Sequence, residues 1–338
     1  MDESQVKTGI LQAPGCLAYS VIVPAYQAAD VIGDCVRALG RQTVDRGRYE
    51  IIVVDDSSTD ATGDAARESG VDRVLHIPHG GPSKARNAGI EAARGEIVLF
   101  TDADCEPAED WIAAMVAPLR DSQVMGVKGT YRTQQSSLIA RLVQLEFEIR
   151  YARMVELERI DFIDTYAAAY RRALLVEYGG FDTAFPIPSA EDVDLSFRLA
   201  RAGHWLVFAP DAWVWHRHPA TPWRYLARKA RFGYWRALLY VRYPEKISGD
   251  AHTDPALKAQ FALAALLGLT AVAGMFWPPV WIAALLLVVL FLATTLPFVR
   301  WAWRRDRAVA LVWPGVTLLR VVVQGLGLAL GLLRQMVK

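Results

Sequence analysis

The stretch Gly95-Glu96-Ile97-Val98-Leu99-Phe100-Thr101-Asp102-Ala103-Asp104 decides the reading of this chain. Its apolar run reads as a buried strand that delivers Asp102 and Asp104 to its C-terminal tip. Open α/β sheets bind ligands in the crevice beyond the carboxyl ends of their strands, so two acids there sit where a charged ligand is held. On a strand, an i, i+2 pair points to one face while the intervening Ala103 turns away and packs. Bare carboxylates would repel a diphosphate by roughly 4 kcal/mol per charge pair at about 4 Å and an effective dielectric near 20. A divalent metal reverses that sign, and ligation by oxygen alone suits Mg2+ or Mn2+. The competing reading is structural: the pair caps a helix beginning near Pro107-Ala108-Glu109-Asp110.

Outward from this strand the chain alternates. Strands are predicted over 19–24, 49–54, 74–77 and 97–101, and helices over 29–40, 61–69 and 83–93. This is βαβα order with short connections, which builds a mostly parallel sheet covered by helices. The second strand ends in Asp55-Asp56-Ser57-Ser58-Thr59-Asp60. One acid of that pair has a structural task, with Ser57, Thr59 and Asp60 available to cap the next helix; the other, Asp55 by preference, suits a nucleobase N–H. Gly80-Gly81-Pro82-Ser83-Lys84-Ala85-Arg86 places small residues before a helix start with two cations, a combination that favours phosphate or simply a solvated basic face. A third acidic group, Glu191-Asp192-Val193-Asp194, opens a helix with Leu195 and Leu199 inward. There acids complement the dipole, and a carboxylate beside a metal–diphosphate site can also serve as general base. Tyr178-Gly179-Gly180-Phe181-Asp182 supplies a turn before it.

Six ordered segments together resemble the family 2 glycosyltransferases: Val21-Ile22-Val23-Pro24-Ala25-Tyr26, Val53-Val54-Asp55-Asp56-Ser57-Ser58-Thr59-Asp60, Ala85-Arg86-Asn87-Ala88-Gly89, Thr101-Asp102-Ala103-Asp104, Gly179-Gly180-Phe181-Asp182 and Glu191-Asp192-Val193-Asp194-Leu195. The resemblance covers roughly 19–219 and implies the nucleotide-sugar-binding A-type glycosyltransferase fold, with inversion at the anomeric carbon. By position it implies that Pro24, Ala25, Tyr26 and Asp55 line the nucleobase pocket with Asp56 beside it. Lys84 and Arg86 are implied donor contacts, Asp102 a ribose or metal contact and Asp104 the direct metal ligand. Asp192 is similar to the catalytic base, and Glu191 to the residue that helps place the acceptor. Trp213-Val214-Trp215-His216-Arg217-His218 is similar to a segment closing over the diphosphate, so His216 and His218 are further metal candidates beside the reading as ordinary packed or surface histidines. The chain departs from the processive synthases of the family: where they carry Gln-x-x-Arg-Trp, it reads Arg231-Phe232-Gly233-Tyr234-Trp235-Arg236. That departure, and apolar segments placed only after the catalytic part, resemble single-addition enzymes working on lipid-linked acceptors.

Composition agrees with an enzyme held at a membrane. A net charge of +1 over 338 residues gives no reason to expect nucleic acid as a partner, and the three cysteines, Cys16, Cys35 and Cys105, lack ligand or disulfide spacing. The sequence begins without the basic and apolar regions of a signal peptide. The hydrophobic fraction of 53% has its surplus at the end, in apolar runs at about 261–277, 280–303 and 308–333, against the roughly 20 residues that cross a bilayer. Pro278-Pro279 makes the first two a hairpin, and Arg304-Arg305-Asp306-Arg307 keeps its ends cytoplasmic by the positive-inside rule. The third run carries Arg320, which costs about 3 kcal/mol at a bilayer centre; it lies at the interface or meets a lipid phosphate within the membrane. Residues 223–243 mix Arg and Lys with aromatics in a pattern for an amphipathic helix at the headgroups.

The expected organisation is an N-terminal extension (1–18), a catalytic domain (19–220), an interfacial helix and linker (221–257) and a membrane domain (258–338). The expected protein is a multi-pass enzyme of the cytoplasmic membrane, its catalytic domain in the cytoplasm. It moves one sugar from a nucleoside-diphosphate sugar to a lipid-linked or glycan acceptor, using Mg2+ or Mn2+. The competing classes are a nucleotidyltransferase of sugar activation and a catalytically silent membrane scaffold.

Overall fold

The four predicted strands and the three predicted helices between them form in the order the pattern predicts. The computed structural model describes residues 17–337 apart from Pro186, Ser189 and His252; Cys16 and nearly all of the expected N-terminal extension lie outside the described residues. The elements are β1 (Tyr19–Ala25), α1 (Ile32–Gly40), β2 (Tyr49–Asp55), α2 (Thr62–Glu68), β3 (Arg73–His76), α3 (Pro82–Ala92), β4 (Ile97–Phe100), β5 (Cys105–Pro107), α4 (Trp111–Val116), β6 (Val124–Arg132), α5 (Leu138–Met154), β7 (Ala168–Arg171), α6 (Arg172–Glu177), α7 (Glu191–Arg201), β8 (Trp205–His216), α8 (Pro222–Arg242), α9 (Leu257–Gly274), α10 (Val280–Trp303) and α11 (Arg307–Val337).

The chain divides into two interleaved units. The first comprises residues through Thr130, Ile163–Ile187 and Arg201–Trp215; the second comprises Tyr131–Phe162, Pro188–Ala200 and the chain from His216 onward. The first unit is built on an eight-stranded sheet of order β3-β2-β1-β4-β7-β6-β8-β5. β1 pairs in parallel with β2 and β4, and β2 with β3, so the parallel half ends its strands at one edge. β7 runs antiparallel to both β4 and β6. The parallel strands are buried on both faces, with Val21, Ile22, Val23, Ile51 to Val54 and Val98 to Phe100 fully enclosed, which is why they read as continuous rather than alternating apolar runs. At the opposite edge the buried Glu50 accepts bonds from Ser20 Oγ at 2.7 Å and from Arg94 Nη2 at 2.8 Å. Burial opposes its charge, and those bonds hold its carboxyl below the usual range.

The second unit is helical. Thr221 caps α8 by accepting a bond from Arg224 N at 3.4 Å, and Pro222 occupies the first turn. Pro278 and Pro279 fall between α9 and α10, as a helix break requires. Asp306 caps α11 by accepting from Val309 N at 3.1 Å, and it pairs with Arg141 of α5 at 2.6 Å. Among the described residues three helices, α9, α10 and α11, are long and apolar enough to cross a membrane.

Two sequence expectations are corrected here. Arg320 lies neither at a water interface nor against lipid: it is 6% exposed, with Nη1 2.8 Å from Glu146 Oε1 of α5 and Nη2 3.1 Å from Gln260 Oε1 of α9. In addition, only part of the basic set on α8 faces outward. Lys229 turns in to Glu146 at 3.1 Å, the buried Arg236 pairs with Asp250, and Arg242 reaches Asp194 at 3.1 Å, leaving Arg224, Arg228 and Arg231 exposed. A charge pattern alone cannot separate a cation that meets headgroups from one that meets a carboxylate distant in sequence.

Candidate active site

Within the first unit, the loops after β1, β2, β3 and β4 leave the same edge of the parallel strands. The β1 and β2 loops are joined to each other. Gln27 N donates to Ser58 Oγ at 3.0 Å, and Gln27 Oε1 accepts from Thr59 N and Asp60 N, each at 3.2 Å. Asp60 takes the capping task, accepting from Thr62 N at 3.1 Å at the start of α2. Pro24 is partly exposed, Ala25 buried, and Tyr26 stands 52% exposed with its ring 4.6 Å from that of His79. Asp55 and Asp56 are both buried and both engaged. Asp55 accepts from Ser58 N at 2.9 Å and lies 3.0 Å from His76 Nδ1. Asp56 accepts from Gly80 N and Gly81 N, each at 2.8 Å, with His79 Nδ1 at 3.0 Å. The structural task expected of one acid is thus shared by both: Asp56 fixes the glycine loop and Asp55 the turn into Ser58.

That glycine loop sets the start of α3. Gly81 adopts φ +83° immediately before Pro82, a conformation that costs a residue with a Cβ but not glycine. Lys84 projects to solvent one turn in, whereas Arg86 is buried, its Nη2 3.2 Å from Asp102 Oδ1 and its guanidinium 5.5 Å from the Phe181 ring centroid. Arg86 is therefore not part of a solvated basic face.

Asp102 and Asp104 reach the tip by a turn rather than by strand pleat, which corrects the expected geometry. β4 ends at Phe100, and Cys105 N donates to Asp102 O at 3.0 Å to close the turn. Ala103 packs inward, as expected. The capping alternative fails, because α4 begins at Trp111 behind Asp110. Cys105 Sγ lies 3.9 Å from Asp104 Oδ1, and burial, reinforced by Asp102 and Asp104, raises its pKa well above the thiol range. The carboxylates of Asp102 and Asp104 offer hard oxygen donors, the ligand type that suits Mg2+ or Mn2+.

Asn87, whose task no local sequence signal reveals, holds the Gly-Gly-Phe-Asp turn. Its Nδ2 donates to Phe181 O and its Oδ1 accepts from Phe181 N, each at 2.8 Å. Gly180 has φ +65°, and a Cβ there would lie 2.3 Å from Asn87 Oδ1. The signal was present in sequence, an amide on a helix followed far downstream by a double glycine, but nothing local joins the two.

In the second unit α7 begins at Glu191, which is buried, while Asp192 is partly exposed and accepts from Val193 N at 2.8 Å. Asp194, 1% exposed, anchors the end of α8: it accepts from Arg198 Nε at 2.9 Å, Arg242 Nη1 at 3.1 Å and Tyr243 Oη at 3.0 Å. Burial, with Asp194 beside it, pushes the Tyr243 hydroxyl up to about 12. The His216 ring stacks on Tyr131 at 4.4 Å between centroids. His218 is buried, with Nε2 3.0 Å from Gln144 Oε1 and its ring stacked on Phe147.

A parallel half-sheet with acids and a glycine-started helix at its carboxyl edge, extended by an antiparallel strand, defines the A-type glycosyltransferase fold. The sequence profile described as "Glycosyltransferase like family 2" matches residues 14–234, and the chain belongs to that family. It is 32% identical over 250 residues to the pre-mycofactocin glycosyltransferase of Mycobacterium tuberculosis, a match covering 69% of this chain and 50% of that protein. It is 30% identical over 221 residues to the glycosyltransferase AglE of Haloferax volcanii, covering 62% and 69% respectively. The chain thus spans half the length of the first relative. Among solved structures it is similar to the mannosyltransferase PcManGT from Pyrobaculum calidifontis in complex with GDP-Man and Mn2+, with a TM-score of 0.63 and 26% identity over 92% of this chain and 87% of that one.

Proposed function

We propose that this protein transfers one sugar, with inversion, from a nucleoside-diphosphate sugar to a lipid-linked or glycan acceptor at the cytoplasmic face of a membrane. The observation that carries the reading is the set of acids at the carboxyl edge of the parallel strands, in a family 2 chain that continues into three long apolar helices. Tyr26 offers an exposed ring to a nucleobase, with Pro24, Ala25 and Asp55 around it and Asp56 supporting the loop. Lys84 meets donor phosphate at the start of α3. Arg86 acts on the donor through Asp102, which it orients toward ribose or metal. Asp104 and Asp102 hold Mg2+ or Mn2+, which when bound supplies positive charge against the leaving diphosphate; the complex of PcManGT with GDP-Man and Mn2+ supports that choice. His216 and His218 are the further candidate ligands, His218 with its Nε2 3.0 Å from Gln144 Oε1.

Asp192 takes the proton of an acceptor hydroxyl, and Glu191 helps place that acceptor. Residues 19–220 are the transferase part, 221–257 an interfacial helix and linker, and 258–338 the membrane part, with Arg304, Arg305 and Arg307 keeping the hairpin ends in the cytoplasm. The test is incubation of membranes carrying the protein with a panel of nucleotide sugars and Mn2+. Metal-dependent release of nucleoside diphosphate supports the reading, release of pyrophosphate moves the protein to the nucleotidyltransferases, and release of neither from any donor leaves the scaffold.

A further inference from the structure

The second unit carries a detail of membrane seating that apolar length does not predict. α11 has charged neighbours at its beginning, middle and end. Asp306, just before its first residue, pairs with Arg141 of α5; Arg320, midway, pairs with Glu146 of α5; and Arg334, near the end, donates to Tyr234 Oη of α8 at 2.5 Å. Asp306 and Arg334 are separated by about 42 Å of helix at about 1.5 Å per residue, more than the roughly 30 Å of hydrocarbon in a bilayer. Neither α5 nor α8 can cross hydrocarbon beside it: α5 carries Arg141, Glu146, Glu148, Arg150 and Arg153, and α8 carries six cations and no acid.

α8 and α11 also run side by side in the same direction. Glu146 joins Tyr225 and Lys229 to Arg320. Further along, a Cβ on Gly327 would lie 2.1 Å from Ala230 O, and one on Gly331 would lie 2.2 Å from Tyr234 O and 2.7 Å from Ala237 Cβ. Backbones this close are the small-residue packing that lets helices share one orientation. By contrast, α11 meets the α9–α10 hairpin at its base. Gln260 and Phe261 of α9 approach Arg320 and Gly325, and Phe298 of α10 stacks on Trp313 at 3.7 Å. The hairpin tip, Met275, Phe276 and Trp277, is 66 to 83% exposed. From Leu311 to Leu333 the outward side of α11 is apolar, with Leu311, Leu319, Leu326, Leu330 and Leu333 more than half exposed. The outward side of α8 presents Arg224, Arg228 and Arg231 at helical spacing, and among the described residues no ion pair involves them.

We infer that α11 does not cross the bilayer but lies along one leaflet beside α8, the two forming a pad that rests its leucines in the acyl layer and its arginines on anionic headgroups, so that α9 and α10 alone span. An amphipathic surface of this kind binds by buried apolar area together with attraction to anionic lipid. The seating requires that the end of α11 lie on the same side as residues preceding α9, with the hairpin tip opposite.

The test uses the full chain in cells, in a Cys16→Ser background, with a membrane-impermeant maleimide before and after permeabilisation. Met336→Cys should label in the same condition as Asp110→Cys, and Trp277→Cys in the other; labelling of Met336→Cys together with Trp277→Cys overturns the proposal. A second measurement does not rely on those variants. Spin labels placed singly at Leu318, Val322, Leu326 and Leu330 should report one common depth, whereas a depth rising to a mid-helix maximum and falling again refutes it. For the lipid class, a fluorophore at Leu326→Cys should be quenched at least threefold more by spin-labelled phosphatidylglycerol than by spin-labelled phosphatidylcholine. That preference should vanish in the Arg224/Arg228/Arg231→Gln variant; equal quenching in the parent refutes the anionic contact.

Discussion

Replacing Arg320 by leucine tests the central ion pair of the helical unit, because its sign differs between environments. In the structure Arg320 is enclosed by Glu146 at 2.8 Å, Gln260 at 3.1 Å and the Trp313 ring at 5.2 Å. Removing one partner of a buried pair costs about 3 to 5 kcal/mol, because the other charge stays buried without compensation. Here Lys229, 3.1 Å from Glu146, and Tyr225, whose hydroxyl donates at 3.1 Å, remain, so the lower end applies and Arg320→Leu should destabilise by about 3 kcal/mol. Were Arg320 instead facing lipid, the exchange would remove an insertion cost of about 3 kcal/mol and add about 0.5 kcal/mol from leucine, stabilising the protein. Reversible denaturant unfolding of the full chain in mild detergent measures the difference, with Glu146→Gln and the double variant completing a thermodynamic cycle. An Arg320→Leu protein as stable as the parent, or more so, refutes the ion-pair argument. A coupling near zero between the two positions refutes it equally.

Acid should weaken the same cluster. Burial alone would raise the Glu146 carboxyl, but Lys229, Arg320 and Arg150 outweigh it and hold it at about 2 against an ordinary 4.5. Stability from this group is therefore present above about pH 4.5 and lost as pH falls from there toward 2. The loss is about 3 kcal/mol at about 1.36 kcal/mol per pH unit, and unfolding measured from pH 6 to 2.5 should show a matching decline that Glu146→Gln flattens. Gly180→Ala forces a Cβ at φ +65° against Asn87; strain and the two weakened bonds to Phe181 should cost about 2 to 3 kcal/mol in a melt. Asp104→Ala should abolish the Mn2+ dependence of nucleotide binding in calorimetry, and equal affinity with and without metal would remove it from the ligand set. Asp192→Asn should keep donor affinity and lower turnover by about 10²- to 10⁴-fold for a hydroxyl acceptor, and far less for an already anionic lipid phosphate. Lost nucleotide binding in that variant would make the residue structural.

The sequence by itself determined the order of the first four strands and the three helices between them, because runs such as Ile51 to Val54 and Val98 to Phe100 are buried on both faces, and that requirement is written locally. It also determined the family, through six short segments in fixed order, and the apolar length of the last three helices. It did not determine partners. That Asp56 holds the Gly80-Gly81 loop, that Arg86 turns inward to Asp102, and that Asn87 clamps Phe181 are contacts between residues up to 94 positions apart, and composition is silent about them. Nor could hydropathy show the environment of Arg320, 174 residues from the carboxylate that receives it. Apolar length sets an energy for leaving water, whereas the side of a helix that meets carboxylate, backbone or lipid is fixed only when the other helices arrive.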